Sequence, residues 1–256
     1  MAEHDLNICL SKIDGDRFGI KTAKALVSSV SDVREAMGFC KSHQVELLIA
    51  RCPVTGLEAA QEMERQGFSL MDTLMYFSHD LKKIPIPEEI QGVAIRRAEP
   101  GEELLVKDVA GESFRGYLGH YHADPRLLRE ECNEVYIDWA YRACTSPRRT
   151  GEVFVAESDG RIIGFGTMGI NDEREGEGGL FGVSPAFRGR GVYRSIMIRC
   201  LNWCVERELE KMVISTQITN QASQKTWIRL GFEPTHSFYT FHKWFEPLAE
   251  GNPLQP

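Results

Sequence analysis

Several signatures that would assign a class at once are missing from this 256-residue chain. The seven cysteines, Cys9, Cys40, Cys52, Cys132, Cys144, Cys200 and Cys204, form no Cys-x-x-Cys pair and no recurrent spacing. That argues against a disulfide framework or a structural zinc site and for reduced thiols. Cys200 and Cys204 share a helix face, but with no histidine nearby they read as core fillers. An excess of positive charge is also missing. The net charge is -7 and the pI is near 5.6, which disfavours a broad nucleic-acid surface but leaves room for a local arginine nest facing a phosphorylated ligand. No apolar run approaches membrane-spanning length, and the opening residues MAEHDLNICL lack a basic region ahead of an apolar core. With 42% hydrophobic residues, what remains is a cytoplasmic globular chain without membrane insertion, of one large domain or two small ones.

The segment KKIPIPEE, Lys82 to Glu89, is charged at both ends and carries two prolines, the composition of a stiff extended connector. It divides an N-terminal unit, 1–81, from a larger unit, 93–246, with a linker at 82–92 and a tail at 247–256. In the first unit Val45 to Ala50 reads as a strand, Leu57 to Gln66 as a helix with Thr55 as its N-cap, and Leu70 to Ser78 as a second strand after Gly67. The same order recurs in the second unit: strand Lys211 to Thr216, helix Gln221 to Leu230 after Asn220, stop at Gly231-Phe232, strand Ser237 to Trp244. Placing Gly67-Phe68 on Gly231-Phe232 matches Leu47–Ala50 to Lys211–Ile214 and Thr55 to Thr219 without a gap. An internal structural echo would produce this match, and so would shared periodicity alone.

Further strands are expected at Ala94 to Ala98, Val153 to Ala156 and Ile162 to Thr167, the last two joined by a Ser158-Asp159-Gly160 turn. Helices are expected over Gly101 to Phe114 and, from its near-helical spacing, within Arg126 to Ala143. The stretch LFGVSPAFRGRGVY, Leu180 to Tyr193, carries the most chemistry. Leu180, Phe181 and Val183 suit a buried strand end, Pro185 delays the next helix, and Gly189 and Gly191 remove Cβ atoms where successive backbone N–H groups converge. Those amides, with the start of the helix over Val192 to Glu208, suit a phosphate or pyrophosphate, and Arg188 and Arg190 would add charge-assisted bonds. A basic surface turn has the same composition.

Arg188-Gly189-Arg190-Gly191-Val192 resembles the cofactor motif Q/R-x-x-G-x-G/A of the GNAT family of acyl-CoA-dependent N-acyltransferases, with a departure at Tyr193. Asn220 through Phe232, NQASQKTWIRLGF, resembles the family's second region, N-x-x-A/S-x-x-x-Y-x-x-x-G-F. The resemblance covers most of Val93 to Glu246. It implies an α/β fold with a mixed central sheet flanked by helices, preceded by a smaller, partial GNAT-like α/β unit. It also implies acetyl-CoA as cosubstrate and no metal. Val183 would present backbone groups to the pantetheine arm, the amides of Arg188, Gly189, Arg190, Gly191, Val192 and Tyr193 would surround the pyrophosphate, and Asn220 would lie near the cofactor or cap its helix. A closer resemblance, through the N-terminal module and the segment Phe114 to Ala143, is to the bacterial TDP-4-amino-4,6-dideoxygalactose (TDP-fucosamine) acetyltransferases. It implies an amine acceptor, a nucleotide-linked amino sugar, with Tyr117, His120, Tyr121, His122 and Trp139 as pocket residues; tyrosine and tryptophan also fill interiors.

The implied reaction is direct attack of an uncharged amine on a thioester in a ternary complex. Glu134, Asp138 and His236 are contributors to weigh for the base, and none stands out. The family's usual acid is a tyrosine at the position of Trp227, and an indole cannot replace it. Either Tyr193 or Tyr239 takes that role alongside Asn220, or the thiolate leaves unaided, or the chain is a weakly catalytic acyl-CoA sensor. An antibiotic, amino acid or protein amine is the alternative acceptor, and a homodimer is compatible with the sequence.

Overall fold

Val153 to Ala156 is apolar at every position because both faces of its strand are covered. The structure, a computed structural model, describes residues 6–88, 92–146 and 151–245. The tail expected at 247–256 and residues 89–91 of the expected linker lie outside the described residues. In chain order the elements are β1 (Ile8–Leu10), α1 (Lys12–Phe18), β2 (Thr22–Leu26), α2 (Val30–Ser42), β3 (Leu47–Pro53), α3 (Leu57–Arg65), β4 (Ser69–Asp80), β5 (Ala94–Arg97) and α4 (Glu103–Ser113). Then come α5 (His120–Ala123), α6 (Arg129–Thr145), β6 (Glu152–Ser158), β7 (Arg161–Ile170), β8 (Glu175–Val183), α7 (Val192–Glu206), β9 (Lys211–Gln217), α8 (Gln221–Arg229) and β10 (Glu233–Trp244). None of the described helices is long and apolar enough to cross a membrane.

These elements form two compact units, one comprising the chain up to Thr73, Gly119–Leu128 and the chain from Ser237, the other Leu74–Leu118 and Arg129–His236. In the second unit β4, β9, β8, β7, β6 and β5 lie side by side. Only the β8–β9 pair among them is parallel. Phe154 and Ala156 pack with Ile196, Cys200 and Trp203 of α7, while Val155 between them packs with Val106 and Ala110 of α4 and Tyr136 and Ala140 of α6. The period of two thus feeds two cores, one on each face. The β6–β7 hairpin turns at Asp159 and Gly160, whose φ angles of 51° and 72° suit the tight two-residue turn expected there. Beyond the Gly178–Ile214 pair, β8 and β9 run on without pairing to each other.

The first unit holds β1, β2, β3 and β10, with β2 and β3 parallel. Val33, Ala36 and Cys40 of α2 and Ala59, Ala60 and Met63 of α3 share a core with Leu48, Ala50, Phe68 and Phe241. β1, α1, β2 and α2 precede Val45, where the sequence pattern yields no elements.

The echo is present in the structure element by element. Moving 164 residues along the chain, from Leu47 to Lys211, carries the bounds of β3, α3 and β4 onto those of β9, α8 and β10. Gly67 and Gly231 both stop their helices at positive φ, 75° and 93°, and the N–H groups of Phe68 and Phe232 bond the carbonyls of Met63 and Trp227, each at 3.0 Å. The match extends back to the ends of α2 and α7. Val45 N–H bonds Cys40 O at 2.9 Å, as Leu209 N–H bonds Cys204 O at 3.0 Å, and Gln44 and Glu208 take positive φ of 53° and 58°. The last strands are exchanged: β10 pairs with β3, Trp244 opposite Leu47, and β4 pairs with β9, Asp80 opposite Lys211.

Two local expectations are corrected. The N-cap of α3 is Gly56, with no side-chain bond, rather than Thr55; a glycine there costs a helix little. The helix expected within Arg126 to Ala143 runs instead from Arg129 to Thr145, and His120 and His122 sit on the separate turn α5.

Candidate active site

Past Val183 the chain makes a short 3-10 turn, Pro185–Phe187, and reaches α7 through Gly189 and Gly191. Both glycines have left-handed backbone, φ 74° and 83°, a conformation that a residue with a Cβ adopts only at a cost of roughly 1 kcal/mol or more. Gly191 is the N-cap of α7 and has no side chain with which to bond the first-turn amides. Ser195 is the first residue of α7 whose N–H is bonded, to Gly191 O at 2.9 Å. From Gly189 through Arg194 the N–H groups make no backbone hydrogen bond among the described residues. A row of free donors at a helix start is a ready anion site.

These residues border a cleft of about 660 Å³ in the second unit. Val183, Arg188, Gly189, Gly191, Val192, Tyr193, Asn220 and Tyr117 all line it. So do Arg115, Arg194 and Arg229, and among the described residues no carboxylate does. Four arginines facing no acid make a locally positive cleft on a chain of net charge -7. The arginines differ in freedom. The Arg188 guanidinium donates to Ser113 O at 2.8 Å and Val183 O at 3.4 Å, so part of it joins the end of α4 to the end of β8. Arg190 lies over the Phe187 ring at 5.4 Å and does not line the cleft.

Asn220 caps α8, its Oδ1 accepting from Ser223 N–H at 3.4 Å and its Nδ2 donating to Thr216 Oγ1 at 2.9 Å. Both ends of the amide therefore serve the local fold, even though the residue borders the cleft. The Tyr193 hydroxyl accepts the Trp227 indole N–H at 2.9 Å, and desolvation pushes its pKa up to about 12. Tyr117 donates to Gln217 Oε1 and packs edge-on to Tyr136.

Other residues expected at a pocket lie elsewhere. Trp139, 44% exposed on α6, stands over the backbone of Gly179 in β8. Asp138 pairs with Arg142 at 2.8 Å, Glu134 is exposed, and His236 stacks on Tyr76. In the first unit His120 is buried, its Nδ1 at 3.0 Å from His242 Nε2. His242 Nδ1 is in turn 2.7 Å from Asp124, which also accepts from Trp244 at 2.8 Å. His122 caps its own turn by accepting from Gly119 N–H at 3.2 Å. Tyr121 donates to Asp14 at 2.7 Å, which pairs with Lys24 at 2.5 Å. Tyr239 lies in β10 opposite Cys52. Arg115, Arg194 and Arg229 escaped the sequence reading. Arg194 directly follows the glycine turn and was the legible one, whereas Arg115 and Arg229 reach the cleft only through the packing of α4 and α8.

A sequence model of the acetyltransferase (GNAT) family matches residues 113–232, a span that holds every cleft-lining residue. The mycothiol acetyltransferase of Amycolatopsis mediterranei is 30% identical over 228 residues, 84% of this chain and 67% of that protein. The chain belongs to the GNAT family of acetyltransferases. As members of that family are, it is an acyl-CoA-dependent N-acyltransferase. The spore coat polysaccharide biosynthesis protein SpsD of Bacillus subtilis is 23% identical over 206 residues, 78% of this chain and 68% of SpsD. Several other mycothiol acetyltransferases match with the chain spanning only 48% to 58% of their length. Among solved structures, a GCN5-related N-acetyltransferase from Sphaerobacter thermophilus superposes with a TM-score of 0.65 at 16% identity, over 94% of this chain and 76% of that one; it shares the fold.

Proposed function

We propose that the chain transfers an acetyl group from acetyl-CoA to the primary amine of a small molecule, with a nucleotide-linked amino sugar as the acceptor. The observation that carries this reading is the row of free amides from Gly189 to Arg194 at a cleft lined, among the described residues, by four arginines and no carboxylate. That donor set fits a pyrophosphate and its neighbouring phosphate. Acetyl-CoA supplies an acetyl group already activated as a thioester. The amides of Gly189 through Tyr193 would hold the pyrophosphate, Arg194 and Arg229 would add charge, and the end of β8 at Val183 would line the pantetheine arm. Asn220 would keep the start of α8 in place beside it.

The acceptor nitrogen must be uncharged to attack, and alignment of the two substrates supplies most of the rate. Tyr193, in the cleft and bonded to the Trp227 indole, is the residue we assign to proton delivery at the sulfur; Tyr239 belongs to the other unit. Tyr117, which lines the cleft, offers a flat ring of the kind that receives a sugar. The polysaccharide role named for SpsD supports a sugar acceptor. Free cysteines throughout suit a reducing, cytoplasmic setting.

Calorimetry with acetyl-CoA, followed by a free-thiol release assay across amines, tests the reading. Binding followed by amine-dependent release, fastest with a nucleotide-linked amino sugar, is expected. Binding without release from any amine would overturn the transferase reading, and faster release with amino acids or aminoglycosides would overturn the sugar.

A further inference from the structure

Trp227 has a ring only 2% exposed, packed edge-on to Phe77 at 5.4 Å between centroids. Its indole N–H donates to Tyr193 Oη at 2.9 Å. Tyr193 and Ser223 line the cleft, and Trp227 stands behind them.

An indole N–H can donate but never accept. It therefore occupies a lone pair of Tyr193 Oη and turns the phenol's single proton away from itself. The buried side of the oxygen is thus taken by a fixed donor, and the cleft side is where the proton is free to go.

The internal echo shows what the fold places at this position. One repeat earlier, the position of Trp227 is Met63, fully buried. Met63 and Trp227 end their helices with the same 3.0 Å bond to the phenylalanine after the glycine stop. The first copy thus fills this place with an unbranched aliphatic side chain that has no N–H to offer, whereas the second places an indole donor there.

We propose that Trp227 is a positioning residue, holding Tyr193 so that the phenol proton faces the cleft and passes to the departing sulfur. The proposal rests on the acetyl-transfer reading. In that reaction the amine nitrogen forms a C–N bond, the C–S bond breaks, and sulfur leaves with the bonding pair and takes the Tyr193 proton. The proton that the amine loses returns through water to the phenolate. Trp227 changes no bond; it acts only through Tyr193.

The test is a cycle of wild type, Tyr193→Phe, Trp227→Phe and the double variant, with Trp227→Met as a second replacement already accepted by the fold one repeat earlier. Acetyl-CoA affinity is read by calorimetry, kcat and KM with an accepted amine, and the four indole N–H resonances by NMR. Tyr193→Phe is expected to lower kcat by about a hundredfold. Trp227→Phe and Trp227→Met should each lower it about fivefold, the worth of one neutral hydrogen bond, with KM for acetyl-CoA within about twofold. In the Tyr193→Phe background the same replacements should cost nothing further, and Tyr193→Phe should shift the Trp227 indole resonance. Losses that multiply in the double variant, an unmoved Trp227 resonance, or an unchanged kcat in Tyr193→Phe would overturn the proposal while leaving acetyl transfer intact. Failure of wild type to release thiol would instead remove the reading beneath it.

Discussion

Arg188, Arg194 and Arg229 border the same cleft, but only Arg188 spends hydrogen bonds on backbone carbonyls. Replacing it removes a tie between α4 and β8 together with a charge. Arg194→Ala and Arg229→Ala are therefore expected to weaken acetyl-CoA binding by about tenfold each, the scale of one charge-assisted contact. Their melting temperatures should stay unchanged, and calorimetry at two salt concentrations checks the ionic origin. Arg188→Ala should lose affinity and melting temperature together. Asn220 calls for a different comparison, because both ends of its amide serve the cap. Asn220→Ala should cost about 1 kcal/mol of stability and Asn220→Ser very little, which denaturant midpoints will show. A fall in kcat common to both variants would then belong to the amide rather than to the cap.

At the scale of elements, α2 and α7 begin in opposite ways although the structure repeats from one to the other. The start of α7 leaves its amides open to the cleft, whereas α2 closes its own. Asp32 accepts from the N–H groups of Ser28 at 2.7 Å and Ser29 at 3.1 Å, and from both serine hydroxyls. A carboxylate built into the chain serves this helix start, whereas the start of α7 faces the cleft. Burial alone would raise the Asp32 pKa, but these donors outweigh it and the value is lowered. Asp32→Ala should destabilise the protein by about 1–2 kcal/mol. Calorimetry should still find one acetyl-CoA per chain in wild type; two in wild type would mean that the first copy binds as well. Residues 1–81 hold no counterpart of the FRGRGVY turn, but their pattern could not show what replaces it. That depends on Asp32 folding back on Ser28 and Ser29, which composition does not encode.

Across the whole molecule, each unit buries a histidine that resists protonation. Burial lowers the pKa of His79. It lowers that of His120 well below the usual value, with the charges of His242, Arg51, Lys24 and His122 adding to the effect. For a group with a depressed folded pKa that is neutral when folded, the unfolded chain binds the extra proton. Stability is then present above the unfolded value of about 6.5 and falls as pH drops below it. Asp14 and Asp124 are also lowered: burial would raise both, but Lys24 beside Asp14 and the His242 bond to Asp124 outweigh it. Their contribution persists to lower pH and is lost only as pH falls below about 4. Urea midpoints should be level from pH 8 to 7 and decline from about 6.5 downward. His120→Gln should flatten part of that decline, and an equally steep fall in the variant would remove His120 as a cause.

Much of this molecule was legible in its residues because the signals are local. Strand and helix periods, the left-handed glycines at 189 and 191, the stops at Gly67 and Gly231 and the order of the two GNAT-like regions all depend on neighbours within a few positions. The gapless match between residues 47–68 and 211–232 followed from the same local rules. Only the tertiary structure decided the rest, because each remaining feature joins residues far apart in sequence: the exchange of β4 and β10 between partners, the placement of Gly119–Leu128 beside β10, the freedom of Arg194 and Arg229 against the tethering of Arg188, and the meeting of Trp227 with Tyr193. No periodicity records which side chains a fold will bring within 3 Å, so the glycine turn could be read from sequence but the Trp227–Tyr193 contact could not.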